Sequence, residues 1–179
     1  MRIIDHFVDK VSHQLKNKYP DELPSYGIIR YALKFIITNT IPIFLIIMFS
    51  LIFGNLKESL IAILGFSLLR IFSGGFHFQT PEKCIIFSTV MIILISELGY
   101  YFTTHTFIMF IVSLLIVLIY APSDIQNQTK VKKENYKWFK IISLLLVSIF
   151  YLIDNPISNL AILVQSILLI RLKGGGKEE

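Results

Sequence analysis

The chain has 179 residues, of which 54% are hydrophobic and 16% charged. Its mean hydropathy is +0.68, and soluble domains carry about 25% charged residues, so a soluble globular domain is excluded. The formal charge of +5 does not imply nucleic acid, because the basic residues are dispersed into loops and no nucleic-acid motif accompanies them. The composition predicts an all-α, polytopic integral membrane protein: a single membrane domain over 1–173 and a flexible tail over 174–179.

Residues 1–17 place Ile3, Ile4, Phe7, Val8, Val11 and Leu15 on one helical stripe opposite Asp9, Lys10, His13 and Lys16. That pattern predicts an amphipathic helix lying in the membrane interface within a segment over 1–27, ended by Pro20 and Pro24. No short apolar core of a secretory signal is apparent there.

A six-helix transmembrane bundle is expected over 28–173. Its first span, 35–53, is about 28 Å of helix and long enough for the hydrocarbon core. Pro42 interrupts it beside Asn39 and Thr40, where a kink is expected. The second span, 59–72, carries Arg70 at its end, either snorkelling to the interface or turned into the bundle. The third, 84–102, embeds Glu97 in an apolar run, which suggests a proton path or a helix-helix hydrogen bond. Spans four to six cover 107–121, 139–153 and 157–172, with Asp154-Asn155-Pro156 turning the chain between the last two.

An even number of spans puts both ends of the chain on one side. Of the 17 lysines and arginines only Lys57 then falls on the other, so the positive-inside rule places both ends and the loop after Arg70 in the cytoplasm.

That loop holds the chemistry. Cys84 is the single cysteine, and His77 lies in the short connection before it. A thiol and an imidazole are the minimum parts of a cysteine nucleophile with its base. Seven residues of unbroken helix would hold them about 10 Å apart, beyond hydrogen-bond reach. Gly74-Gly75 supplies a break, and Thr80-Pro81 reads as an N-cap with proline at the first helical position. Cys84 is therefore expected in the first turn of a new helix, where unpaired N–H groups and the helix dipole favour a thiolate. The blander alternative is a cysteine that only packs, in a small non-enzymatic transporter or peptide exporter. No His-Glu-x-x-His run or Gly-x-Ser motif supports a zinc or serine protease, and no metal or cofactor is expected.

Arg70, Gly74-Gly75-Phe76-His77 and Cys84, set between apolar spans in a basic protein of this size, resemble the accessory gene regulator B family of bacterial quorum sensing. The resemblance covers nearly the whole chain. It implies a membrane cysteine endopeptidase of the bacterial cell membrane that processes a short amphipathic propeptide into a cyclic thiolactone or lactone signal. His77 and Cys84 would be base and nucleophile, and Arg70 and Gly75 further positions on which the family depends. Lys130, Lys132 and Lys133 match a basic loop that handles the propeptide, although residues 125–129 depart from the proline-containing loop of the family. A homodimer is also implied. For the group that orients the histidine, Gln79, Asp124 and Ser67 are the candidates, in that order. Lys10 and Lys16 are candidates for attracting an acidic peptide tail.

Overall fold

A computed structural model describes residues 3–76, 80–123 and 133–170. Among these the elements are helices: α1 (Ile3–Lys18), α2 (Tyr26–Phe53), α3 (Leu56–Ser73), α4 (Pro81–Leu98), α5 (Thr106–Tyr120), α6 (Tyr136–Leu152) and α7 (Pro156–Ile167), with short 3-10 helices at Gly99–His105 and Lys133–Asn135. They fall into two compact units, residues 1–53 with 77–91 and residues 54–76 with 92–179.

In the first unit α1 packs along α2. The buried face of α1 is Asp5, Val8 and Ser12, while Ile3 and Phe7 of the apolar stripe are exposed. The reason lies in the partner helix. Lys34 Nζ donates to Asp5 Oδ1 at 2.6 Å, Tyr26 Oη donates to Asp9 Oδ1 at 2.9 Å, and Arg30 Nε bonds the same Asp9 oxygen. His13 stacks on Tyr26 with ring centroids 4.3 Å apart. Lys16 is spent locally, its Nζ donating to the carbonyls of Pro20 at 2.5 Å and Leu23 at 2.8 Å, where it fastens the chain after α1.

The hydrogen bonds from Arg30 and then from Tyr26 hold the Asp9 carboxyl below its ordinary range. A depressed folded-state value stabilises fully above the unfolded value and is lost as pH falls through the folded one. Thermal unfolding of the wild type is expected to lose stability on acidification below about pH 4. Asp9→Asn should flatten the curve in that window; an unchanged curve would remove Asp9 from the account.

α2 runs on through Pro42 for 28 residues. Thr38 Oγ1 donates to the Lys34 carbonyl at 2.8 Å and Asn39 Nδ2 to that of Phe35 at 2.7 Å, so these polar groups are satisfied within the helix. The helix begins nine residues before the apolar stretch expected to span, because its first turns are held by α1.

In the second unit α7 packs against α3, α5 and α6, and Pro156–Leu160 and Ala161, Ile162, Gln165 and Ser166 are buried. A helix buried all round is a core element. At 12 residues it is about 18 Å long, shorter than the sixth span expected from sequence. Asn155 caps it, its Oδ1 accepting from the N–H groups of Ile157 at 3.0 Å and Ser158 at 3.2 Å, with Pro156 in the first turn. Leu69, Val117, Val147, Phe150, Ile162 and Leu169 form the apolar core.

The third and fourth expected spans are joined by the 3-10 helix Gly99–His105 rather than by a loop. Gly99 is required there by close approach: a Cβ would stand 2.6 Å from Ile157 Cγ1 and 2.9 Å from its Cα. Gly99→Ala is expected to destabilise by about 1–3 kcal/mol through overpacking, read as a lower unfolding temperature in detergent. An unchanged temperature would show that this contact is loose. Glu97 is exposed at the end of α4, and its Oε1 accepts from the Asn55 side chain at the start of α3. Of the two roles suggested by its sequence position, the helix-helix hydrogen bond is the one formed.

Two helical stretches, Tyr26–Phe53 and Pro81–Tyr120, are long and apolar enough to cross a membrane. Both leave large apolar side chains exposed, among them Phe44, Ile52, Ile86 and Ile119, as a lipid-facing surface requires.

Candidate active site

The second unit contains the Gly-Gly turn. α3 ends at Ser73, and Gly74 caps it with φ +72°. Gly75 follows at φ +130°, a conformation that residues with a Cβ rarely adopt. The turn is clamped on nearly every backbone group. Gly74 N–H donates to the Arg70 carbonyl at 2.9 Å, Gly75 N–H to that of Ser123 at 3.0 Å, and Phe76 N–H to that of Leu168 at 2.9 Å. Ser123 N–H returns a bond to the Ser73 carbonyl at 2.9 Å.

Side chains complete the clamp. Arg70 turns into its own unit, Nη2 donating to the Phe76 carbonyl at 2.9 Å, and its guanidinium carbon lies 5.8 Å from the centroid of the Phe66 ring. Gln165, fully buried on α7, donates from Nε2 to the Gly74 carbonyl at 2.8 Å. Sequence reasoning placed no role on Gln165. The signal was present, an amide inside the apolar run of the last helix, where an uncompensated polar group is costly.

The first unit contains the cysteine. Pro81 opens α4, and Cys84 N–H donates to the Thr80 carbonyl at 3.3 Å, the first bond of the helix. Cys84 is half-buried in the first turn, where the sequence put it. Ser88 Oγ donates to the Cys84 carbonyl at 2.8 Å. Beside it, Glu82 Oε1 accepts from the backbone N–H of Ile4 at 3.0 Å, so the first turn of α1 is tied to the first turn of the cysteine helix.

Of the residues expected at the site, Arg70, Gly74 and Gly75 come together in the second unit and Cys84 stands in the first. His77, Gln79, Asp124, Lys130 and Lys132 lie outside the described residues. Lys133 opens the 3-10 helix Lys133–Asn135. Ser67, the third candidate orienter, is exposed on α3. Among the described residues no three His, Cys, Asp or Glu side chains converge as a metal site would require.

The profile of accessory gene regulator B matches residues 4–172. The chain belongs to the accessory gene regulator B family. It is 28% identical over 156 residues to a putative AgrB-like protein of Clostridium perfringens strain SM101, an alignment covering 82% of this chain and 71% of the relative. It is 26% identical over 157 residues to accessory gene regulator protein B of Staphylococcus saprophyticus, covering 86% and 82%. A putative AgrB-like protein of Clostridium acetobutylicum is 23% identical over 170 residues, covering 89% and 81%. No solved structure matches. Family membership carries involvement in quorum sensing, and with the two apolar helices it makes this a membrane protein.

Proposed function

We propose that the chain is a membrane-embedded cysteine endopeptidase that cleaves a short amphipathic propeptide and promotes closure of the retained fragment into a thiolactone or lactone signal. The observation that carries this reading is Cys84 in the opening turn of α4, half-buried, in a chain matched from residue 4 to 172 by the family. There the N-terminal N–H groups and helix dipole favour the thiolate.

His77 takes the proton of Cys84, and the sulfur attacks a propeptide carbonyl. The peptide C–N bond breaks, the C-terminal fragment leaves as an amine with the proton returned by His77, and the N-terminal fragment remains as a thioester on Cys84. A cysteine or serine side chain within that fragment displaces Cys84 and closes the ring. Tethering makes the closure effectively unimolecular, and exclusion of water from a membrane-lined site protects the thioester. Removal of the released fragment draws the sequence forward.

Topology follows the same reading: six spans from α2 to α7, α1 in the interface, and both ends of the chain and the Gly-Gly turn on the cytoplasmic side by the distribution of lysine and arginine. Lys130, Lys132 and Lys133 would meet the propeptide. With Lys16 bonded to Pro20 and Leu23, Lys10 is the better candidate on α1 for an acidic tail. The test is cleavage in membranes of a short amphipathic propeptide with an internal cysteine or serine and an acidic tail, with His77 and Cys84 each replaced by alanine. Cleavage undiminished by either change would exclude the proposal.

A further inference from the structure

The first turns of α6 carry two cations that the chain itself does not neutralise. Lys137 is exposed and Lys140 half-buried. Among the described residues the ion pairs are those of Arg30 and Lys34 with Asp5 and Asp9, so neither lysine of α6 has a carboxylate partner. Glu134, exposed one turn earlier, pairs with neither. Lys16 and Arg70 differ, each being bonded to backbone carbonyls.

The rest of the helix shows what surrounds these charges. Ser143, Val147 and Phe150 are its buried residues, and it packs against α3 and α5. Trp138, Ile141, Leu145, Ile149 and Leu152 are all exposed, Trp138 by 63% and Leu152 by 80%. Their spacing of three and four residues puts them on one face of the helix. In a membrane protein such a stripe meets acyl chains. Trp138 stands at its first position with Lys137 next to it, and an indole beside a cation where an apolar face begins marks the membrane–water interface. A lysine at that depth extends its charge among the headgroups, where an anionic phospholipid supplies the negative oxygen atoms that the chain does not.

We propose that Lys137 and Lys140, with Trp138, bind the headgroup of an anionic phospholipid at the start of α6. This rests on the reading of α6 as a membrane span, and it assigns these two lysines to lipid rather than to the propeptide.

Trp138 is the only tryptophan, so its fluorescence reports on the lipid beside it. The intact chain is reconstituted in vesicles of about nine parts phosphatidylcholine to one part phosphatidylglycerol, with bromine near the headgroup end of the acyl chains either of the phosphatidylglycerol or of an equal amount of phosphatidylcholine. In the native chain the brominated phosphatidylglycerol should quench Trp138 about twofold more strongly than the brominated phosphatidylcholine at low ionic strength. Salt at about 0.5 M should bring the two together. Lys137→Gln with Lys140→Gln should lose about half or more of the preference, whereas Lys137→Arg with Lys140→Arg should keep it. Lys57→Gln, in the first turn of α3, should leave it unchanged. If the glutamine pair fails to accumulate, the salt dependence of the native preference decides.

Equal quenching by the two lipids in the native chain would overturn the site and leave α6 in the membrane. A preference untouched by the glutamine pair, or by salt, would overturn it as well. Equal quenching together with a shift of Trp138 emission on adding an acidic-tailed amphipathic peptide would give these lysines to the propeptide instead. If neither lipid quenches Trp138, the start of α6 lies away from the bilayer, and the span and the site fall together.

Discussion

Cys84→Ala is expected to lower propeptide cleavage by about 10³-fold or more, with accumulation and membrane insertion unchanged, since removal of a nucleophile leaves only binding and electrostatic contributions. Nothing in the local packing would mask this result. Cys84 is half-buried in the first turn of α4, so removing its sulfur opens no large cavity, and the backbone bond to Thr80 is independent of the side chain. Cys84→Ser is the sharper variant. It preserves size and hydrogen bonding but offers a hydroxyl, a far weaker nucleophile at neutral pH. A serine variant that accumulates and does not cleave separates chemistry from packing, and one that cleaves normally would return the chain to the transporter alternative.

The second large effect is expected at Gly75. Alanine there must adopt φ +130°, which costs about 1–3 kcal/mol, and its Cβ would sit 3.2 Å from Gln165 Nε2 and 3.3 Å from the Leu168 carbonyl. That carbonyl is the acceptor for Phe76 N–H, so relieving the contact displaces the backbone just ahead of His77. A shift of about 1 Å in a reacting group can cost about a hundredfold. Gly75→Ala should therefore accumulate at a reduced level and show kcat lowered by about ten- to a hundredfold, with KM little changed. Native kcat in the accumulated protein would show that the turn tolerates a side chain and that the clamp does not serve the chemistry.

The parts of this architecture that were legible in the sequence are the local ones. A proline at the first position of α4, a glycine pair ending α3 and an Asp-Asn-Pro turn before α7 act within a few residues of themselves. The helices following α1 and the place of Cys84 could therefore be read directly. What could not be read depends on a partner helix. Periodicity drew an apolar stripe on α1 but could not show that Asp5 and Asp9 face α2, where Lys34 and Arg30 meet them. Lys16 looked like a surface charge and is a tether for two carbonyls. Gln165 and Ser123 reach the Gly-Gly turn from 91 and 48 positions away in the chain, by the bonds to Gly74 and from Gly75, and no window along the sequence joins them.

The central claim is that Cys84 carries the propeptide as a thioester, and intact mass measurement of the protein mixed with propeptide and quenched in acid tests it most directly. A mass increase equal to the N-terminal propeptide fragment less one water, mapped to Cys84 and released by neutral hydroxylamine, is the predicted result. Product formed at the native rate by Cys84→Ala, with no adduct on the wild-type chain at any time, would contradict it.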